Sequence, residues 1–313
     1  MCKENQTEVT EILLLGFKSV YNQKTLLFVL FLLVYIAILG ANLIIIVLVA
    51  ITDHLNIPMF CFLKHLALAD VILTTSVVPF MLHIMIMKKR TLSIAGCITQ
   101  LYIFCISGFV QCLLLAVMSY DRYLAICHPL NYNLIMSPKV CLQLVYGSWF
   151  LVFTLITTEI ILVFQLQYCG LNFLDHFFCD FGPVVKLSTS DTSTLMLLDF
   201  FISITLIFVP FVFIIITYIL IVFTIIRIPS VTARRKLFFT CSSHLTIVCT
   251  YYVALFVVYL MPSRDNSMNL NKFRSLLYII VTPLMNPIIY SLRNTKIRVA
   301  LRKVVMQIIV IIH

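Results

Sequence analysis

Charge is scarce in this chain. Only 11% of its 313 residues are Asp, Glu, Lys or Arg and 62% are apolar, against roughly 25% and 45–50% in soluble domains. One water-surrounded core cannot hide that much apolar surface. Glycine is scarce too, at seven residues, which excludes a collagen-like rod, and the apolar content excludes a disordered chain. Eleven cysteines spread over this length are too dilute for a disulfide-dense secreted scaffold. No Gly-rich phosphate loop, no His-Glu-x-x-His and no paired intramembrane aspartates occur, and no nucleophile–base pair can be built by spacing. The sequence therefore reads as neither an enzyme nor a cofactor binder. The net charge of +10 comes from basic residues lying between long uncharged runs. They form no stripe for nucleic acid and suit the anionic cytoplasmic leaflet or an acidic protein partner better.

What the chain has instead is length without charge. A helix needs about 20 apolar residues to cross the hydrocarbon core. Runs of that order lie at Thr25–Thr52, Thr91–Tyr120, Val140–Thr158, Phe200–Ile226, Leu237–Ser263 and Ser275–Leu292. A further run, Ile57–Leu82, is interrupted only by Lys64, His65 and Asp70. The count predicts an all-α membrane protein with seven transmembrane helices. No segment shows the ten-residue alternation of barrel strands. His128-Pro129-Leu130-Asn131-Tyr132 reads as a turn leaving the third span. After Leu292, Arg293, Lys296, Arg298, Arg302 and Lys303 are set against Ile297, Val299, Leu301 and Val304, the pattern of a short amphipathic helix lying on the membrane surface. Residues 1–24 then form an extracellular segment, 25–292 the membrane domain and 293–313 a cytoplasmic segment.

Orientation rests on chemistry more than on charge, because an outside amino terminus leaves 12 of the 22 Lys and Arg residues inside and 10 outside. Asn5-Gln6-Thr7 is a glycosylation sequon, used only on the lumenal side. Cys97, Cys169 and Cys179 fall on that same face, where disulfides persist, and Cys179 is a candidate partner for Cys97. The first 24 residues contain no apolar signal-peptide core, so the first span reads as the anchor. The protein is expected in the cell membrane, with its carboxyl terminus in the cytoplasm. The longest outer loop, about Gln165–Thr194, reads as a lid.

Polar groups at bilayer depth cost about 2.5–3.5 kcal/mol or more when charged, so each needs a reason. Asp70, Asn42 and Asn286 lie mid-span in three helices. They read either as a cluster that binds water or a cation and rearranges, or as static hydrogen bonding between helices. Asp121-Arg122, where the third span meets the cytoplasm, reads as an ionic latch or as an arginine reaching lipid phosphates. Glu159 and Asp199, near span ends, could meet a polar ligand group or simply reach water. His176-Phe177-Phe178-Cys179-Asp180 has a metal-like spacing, but a disulfide at Cys179 would remove its thiolate, and no metal site is expected. Cys61, Cys105, Cys112, Cys127, Cys141, Cys241 and Cys249 read as small apolar fillers.

Taken together, the motifs resemble those of rhodopsin-like G-protein-coupled receptors, and within them of the olfactory (odorant) receptors. The matching stretches are Leu14-Leu15-Gly16-Phe17, Asn42, Pro58-Met59-Phe60, Leu68-Ala69-Asp70, Met118–Cys127 (Met-Ser-Tyr-Asp-Arg-Tyr-Leu-Ala-Ile-Cys), His176–Asp180, Lys236–Leu245 (Lys-Leu-Phe-Phe-Thr-Cys-Ser-Ser-His-Leu) and Pro283–Asn294 (Pro-Leu-Met-Asn-Pro-Ile-Ile-Tyr-Ser-Leu-Arg-Asn). The resemblance implies a small, mostly apolar volatile as ligand, a heterotrimeric G protein with a stimulatory olfactory-type alpha subunit as partner, and cyclic AMP as signal. By offset from the motifs it puts the ligand against Phe104, Cys105, Gly108, Phe109, Ile202, Ser203, Leu206, Tyr252, Leu255, Tyr259 and Ile279, with the hydroxyls of Ser203, Tyr252 and Tyr259 orienting it. It assigns coupling to Asp121, Arg122, Tyr123, Tyr218 and Tyr290, a polar core to Asn42, Asp70, Gln111 and Asn286, and a disulfide to Cys97 and Cys179. The chain departs from the family pattern in four places. Thr189 stands where a third loop cysteine is usual, which leaves Cys169 without its usual partner. Gln111 replaces a common glutamate, Val253 a usual glycine after Tyr251-Tyr252, and Asn56-Ile57 a His-Thr before Pro58. A receptor for a non-odorant ligand is the nearest alternative. A transporter would need a continuous polar path, for which only Asp70, Asn42, Gln111 and Asn286 are candidates.

Overall fold

The structure is a computed structural model that describes residues 9–17, 24–52, 55, 57–87, 91–170, 172–259 and 268–312. Asn5 lies outside the described residues. Among the described residues, seven helices are long and apolar enough to cross a membrane. They are α1 (Lys24–Ile51), α2 (Pro58–Ile86), α3 (Ile94–Cys127), α5 (Pro138–Gln165), the fifth span Ser193–Ile226, α9 (Val231–Tyr259) and α10 (Met268–Arg293). A one-turn helix, α4 (Tyr132–Ile135), follows the His128-Pro129 break, and α6 (Phe181–Lys186) lies in the long loop. The fifth span comprises α7 (Ser193–Ser203), a π-helical turn (Ile204–Phe208) and α8 (Val209–Ile226). Finally, α11 (Thr295–Ile312) closes the chain.

Local chemistry sets the helix starts. The Ser93 hydroxyl accepts from the Gly96 amide at the head of α3, and Ser137 does the same for Val140 at the head of α5. Pro58 and Pro138 occupy first-turn positions that need no amide hydrogen. Which face turns inward follows from lipid outside and neighbours inside. In α1, Phe31, Ile38, Asn42, Ile45 and Leu48 make one buried stripe, while Leu30, Leu33 and Val47 stay exposed. Helix α3 is the centre of the bundle and carries buried residues at every turn from Cys97 to Leu124. Beside Pro210, which has no amide hydrogen to give the helical ladder, the fifth span relaxes into its π turn.

The helices outrun the charge-free stretches. The fifth span begins at Ser193, not Phe200, and the fourth ends at Gln165, not Thr158. Polar residues such as Asp199 and Glu159 are carried inside helices because their side chains bond each other. The sequence also conceals a small sheet, with strand order β2-β1-β3, at one end of the bundle. Strand β1 (Glu11–Leu14) pairs antiparallel with β2 (Thr91–Ser93), Glu11 opposite Ser93, and parallel with β3 (Phe173–Leu174), Leu13 opposite Phe173. Ile12 and Leu14 point inward and Glu11 outward, an alternation too short to read without its partners. At the far end α11 buries Ile297 and Ala300, whereas Val299, grouped with its apolar side in the sequence, is exposed.

Candidate functional site

The sheet end carries a built lid. Cys97 at the head of α3 is disulfide-bonded to Cys179, with Cα atoms 5.5 Å apart. Cys169 does not lack a partner as its surroundings in sequence suggest, for it too is disulfide-bonded. The Gln100 carboxamide accepts from the Cys179 amide at 3.0 Å and fixes the loop over α3. Lys272 is 1% exposed and donates to the Gly16 carbonyl at 2.8 Å and the Asp175 carboxylate at 2.6 Å, so the amino-terminal segment, the loop and the seventh span meet at one ammonium. Gly16 has φ +56°, a left-handed conformation that glycine adopts without strain. Phe17 stacks on Phe177 at 5.1 Å. His176 packs against Phe177 and Phe178 and its ring nitrogen lies 3.4 Å from the Ser275 hydroxyl. Burial first, then the Lys272 ammonium, pushes its pKa down to about 3, so the ring stays neutral. The Cys179 thiol is spent in its disulfide, and no three metal-ligating side chains gather among the described residues.

The residues assigned to the ligand lie on four spans, Phe104, Cys105, Gly108 and Phe109 on α3, Ile202, Ser203 and Leu206 on the fifth, Tyr252, Leu255 and Tyr259 on α9, and Ile279 on α10. Phe104 lies 5.0 Å from Phe178 and 6.0 Å from Tyr278 between ring centroids. Ile202, Leu206, Leu255 and Ile279 are buried, and Cys105, Phe109, Ser203 and Tyr252 are half-buried. The Tyr252 hydroxyl is shielded from solvent and lies beside the Cys112 thiol. The Tyr259 hydroxyl, expected to orient a ligand, is engaged by Asp180. Burial pushes the Asp180 carboxyl up to about 6, against the opposing hydrogen bond from the Phe181 amide. Glu159 does not reach water but is 3% exposed and hydrogen-bonded to Asp199.

In mid-bundle the polar residues do not form one cluster. The Asn286 amide donates to Asp70 at 2.8 Å. Asn42 donates instead to the carbonyls of Ile38 and Pro283, both at 3.0 Å. Gln111 is fully buried with neither polar atom partnered. Pro283 and Pro287 lie within α10, and the Pro283 carbonyl that takes the Asn42 bond belongs to this loosened ladder.

The end opposite the sheet is open. A cavity of about 280 Å³ is lined by Arg122, Met118, Ser243, His244, Tyr290 and Asn294, with Phe60 and Phe239 at its sides. Arg122 is held 2.9 Å from Asp121, which also accepts from the Tyr132 hydroxyl at 2.7 Å. Tyr123 bonds His128 at 3.0 Å, and Tyr290 reaches Met118 sulfur at 3.9 Å. Tyr218 bonds His244 at 2.6 Å and ties the fifth span to the sixth. Tyr132 and His244 received no role from the sequence. His244 sits inside the quoted Lys236–Leu245 motif, which was the signal that could have found it.

Residues 31–308 match the family model described as olfactory receptor. The chain is 40% identical to the human protein Olfactory receptor 6B3, a match covering 97% of this chain and 92% of the relative. It is 43% identical to human Olfactory receptor 10J5, covering 97% of this chain and 98% of that one. The crystal structure of squid rhodopsin superposes with a TM-score of 0.74 at 20% identity, over 92% of this chain and 87% of the other, which is a likeness of fold.

Proposed function

The chain belongs to the olfactory receptor family, and on that premise we propose that it binds a small, mostly apolar volatile inside its helix bundle and activates a stimulatory, olfactory-type G protein, raising cyclic AMP. Members of this family are multi-pass membrane receptors coupled to G proteins, not enzymes. The proposed orientation puts the sheet and the Cys97–Cys179 disulfide outside, where disulfides persist, and the Arg122 cavity in the cytoplasm.

The observation that carries this reading is the pairing of two sites at opposite ends of one bundle. The proposed ligand region under the lid has few polar anchors, and a cavity of about 280 Å³ with Arg122 at its wall lies at the other end, where outward movement of α9 would widen it for a protein segment. A ligand shifts such a bundle only by binding one state better than the other. An odorant of about ten heavy atoms, at roughly 0.5 kcal/mol each, yields about 5 kcal/mol and a dissociation constant of roughly 0.1–1 mM. Weak binding and broad tuning follow from a pocket of this kind.

The test is a cyclic AMP screen of a diverse volatile panel in cells expressing the chain. At least one volatile is expected to raise cyclic AMP, and Arg122→Ala is expected to abolish that rise while surface expression persists. Signalling unchanged in Arg122→Ala would overturn the reading.

A further inference from the structure

Among the links between the sixth span and the third is one hydroxyl that the coupling machinery above does not use. Tyr251 is 1% exposed in the last third of α9. Its hydroxyl donates to the Gly108 carbonyl of α3 at 2.8 Å, lies 3.0 Å from the Cys112 sulfur one turn further along α3, and lies 3.5 Å from the Tyr278 hydroxyl of α10. The absence of a side chain at Gly108 makes this meeting possible, since a Cβ there would lie 2.8 Å from the Tyr278 oxygen. Two tyrosines from two helices therefore seat their hydroxyls in a notch cut into the third.

The notch is wired to the ligand region. The Tyr251 and Tyr278 rings are edge-on at 5.9 Å, Tyr278 is edge-on to Phe104 at 6.0 Å, and Phe104 packs on Phe178 of the lid at 5.0 Å. Contact thus runs from the lid, through Phe104 of the assigned ligand residues and then Tyr278, to α9. The Tyr218–His244 bond ties α9 to the fifth span, which is itself bonded to α3 through Thr217–Ser119 at 3.1 Å and Thr224–Cys127 at 3.2 Å, so it restrains α9 alongside the notch.

We propose that the Tyr251 hydroxyl in the Gly108 notch is a resting-state lock, which restrains α9 against α3 and is released when ligand displaces Phe104 and Tyr278. The proposal rests on the receptor reading above, and it assigns to this chain a built-in restraint on basal activity. Burial keeps bulk solvent from the hydroxyl, and a buried interhelical hydrogen bond of this type changes a two-state equilibrium about three- to tenfold. Tyr251→Phe deletes the bond and keeps the ring.

The native Cys241 reports the motion without added labels. It lies on α9 toward the cytoplasmic end and is 5% exposed, so its alkylation tracks the population with α9 swung out. In ligand-free receptor in lipid nanodiscs, Tyr251→Phe is expected to raise the Cys241 maleimide-labelling rate about three- to tenfold. Cys141, equally buried in the fourth span, keeps its native rate. Cys112→Ala, which removes one neighbour of the hydroxyl, shifts Cys241 the same way by less, and it decides the matter if Tyr251→Phe does not fold. Native labelling of Cys241 in the folded variant, or an equal rise at Cys141, would overturn the lock. Faster Cys241 labelling without a rise in basal cyclic AMP supports the lock and counts instead against the G-protein reading.

Discussion

Acidifying the sheet end of the bundle from pH 7 to pH 5 sets two groups of the lid against each other. His176 has its pKa pushed down to about 3 by burial and by Lys272. When the lid opens, the ring returns to an ordinary value near 6.5. Its stabilising effect is complete above 6.5 and is lost as pH falls toward 3, so the step from pH 7 to pH 5 costs the closed lid about 2 kcal/mol. Asp180 is the opposite case. Burial pushes its carboxyl up to about 6, with Asp199 adding to the shift and the Phe181 amide and Tyr259 hydroxyl opposing it. The closed lid therefore favours the protonated acid, a contribution present at low pH and lost as pH rises through 6. Over the same step this returns about 1.3 kcal/mol. The net loss is under about 1 kcal/mol, so the native lid is nearly indifferent to acid.

Single substitutions unmask each side. Hydrogen exchange at the Leu15 and Gly16 amides, which bond the Leu174 and His176 carbonyls at 3.0 and 3.1 Å, reads lid opening directly. Corrected for intrinsic rates, protection in the native chain should fall about threefold between pH 7 and 5. In Asp180→Asn the fall should deepen to about thirtyfold, whereas in His176→Gln protection should rise about ninefold. Equal pH slopes in all three proteins would refute the reasoning.

Lys272→Met leaves the Asp175 carboxylate and the Gly16 carbonyl without their shared donor. The cost should be about 2 kcal/mol, less than the 3–5 of a fully buried pair because Asp175 keeps 22% exposure; exchange at Gly16 should accelerate and Lys272→Met/Asp175→Asn should recover part of it. Cys97→Ser opens a loop spanning 82 residues, worth at most about 4.5 kcal/mol of chain entropy because lipid already restrains the spans. Surface expression of this variant should drop sharply, and normal expression would contradict the role given to the bond. Tyr252→Phe and Ser203→Ala should each shift the odorant dose–response by about two- to tenfold without changing surface expression. A response that ignores both would remove the ligand assignment and leave the fold untouched.

The spans were legible because a single constraint, about 20 apolar residues per crossing, acts on contiguous sequence. Their ends were not, because a helix runs past the hydrocarbon once its polar groups find partners, as Asp199 does with Glu159. Contacts distant in sequence left the weakest trace. Lys272 and Asp175 are 97 positions apart, and nothing around either one points to the other. Four residues of β1 carry too little alternation to stand out. Likewise, the motif around Asp121-Arg122 located the cleft, but nothing local indicated that Tyr132 or His244 would help to build it. Tyr251 was visible as half of an aromatic pair, while the value of its hydroxyl depends on a notch 143 positions away.

The account depends on ligand under the lid opening the cleft at the other end to a G protein. Purified chain in nanodiscs, mixed with a purified stimulatory heterotrimer and a volatile active in the screen, should accelerate guanine-nucleotide exchange, and Arg122→Ala should not. No acceleration by that volatile, with ion or solute flux through the same chain in its place, would contradict it.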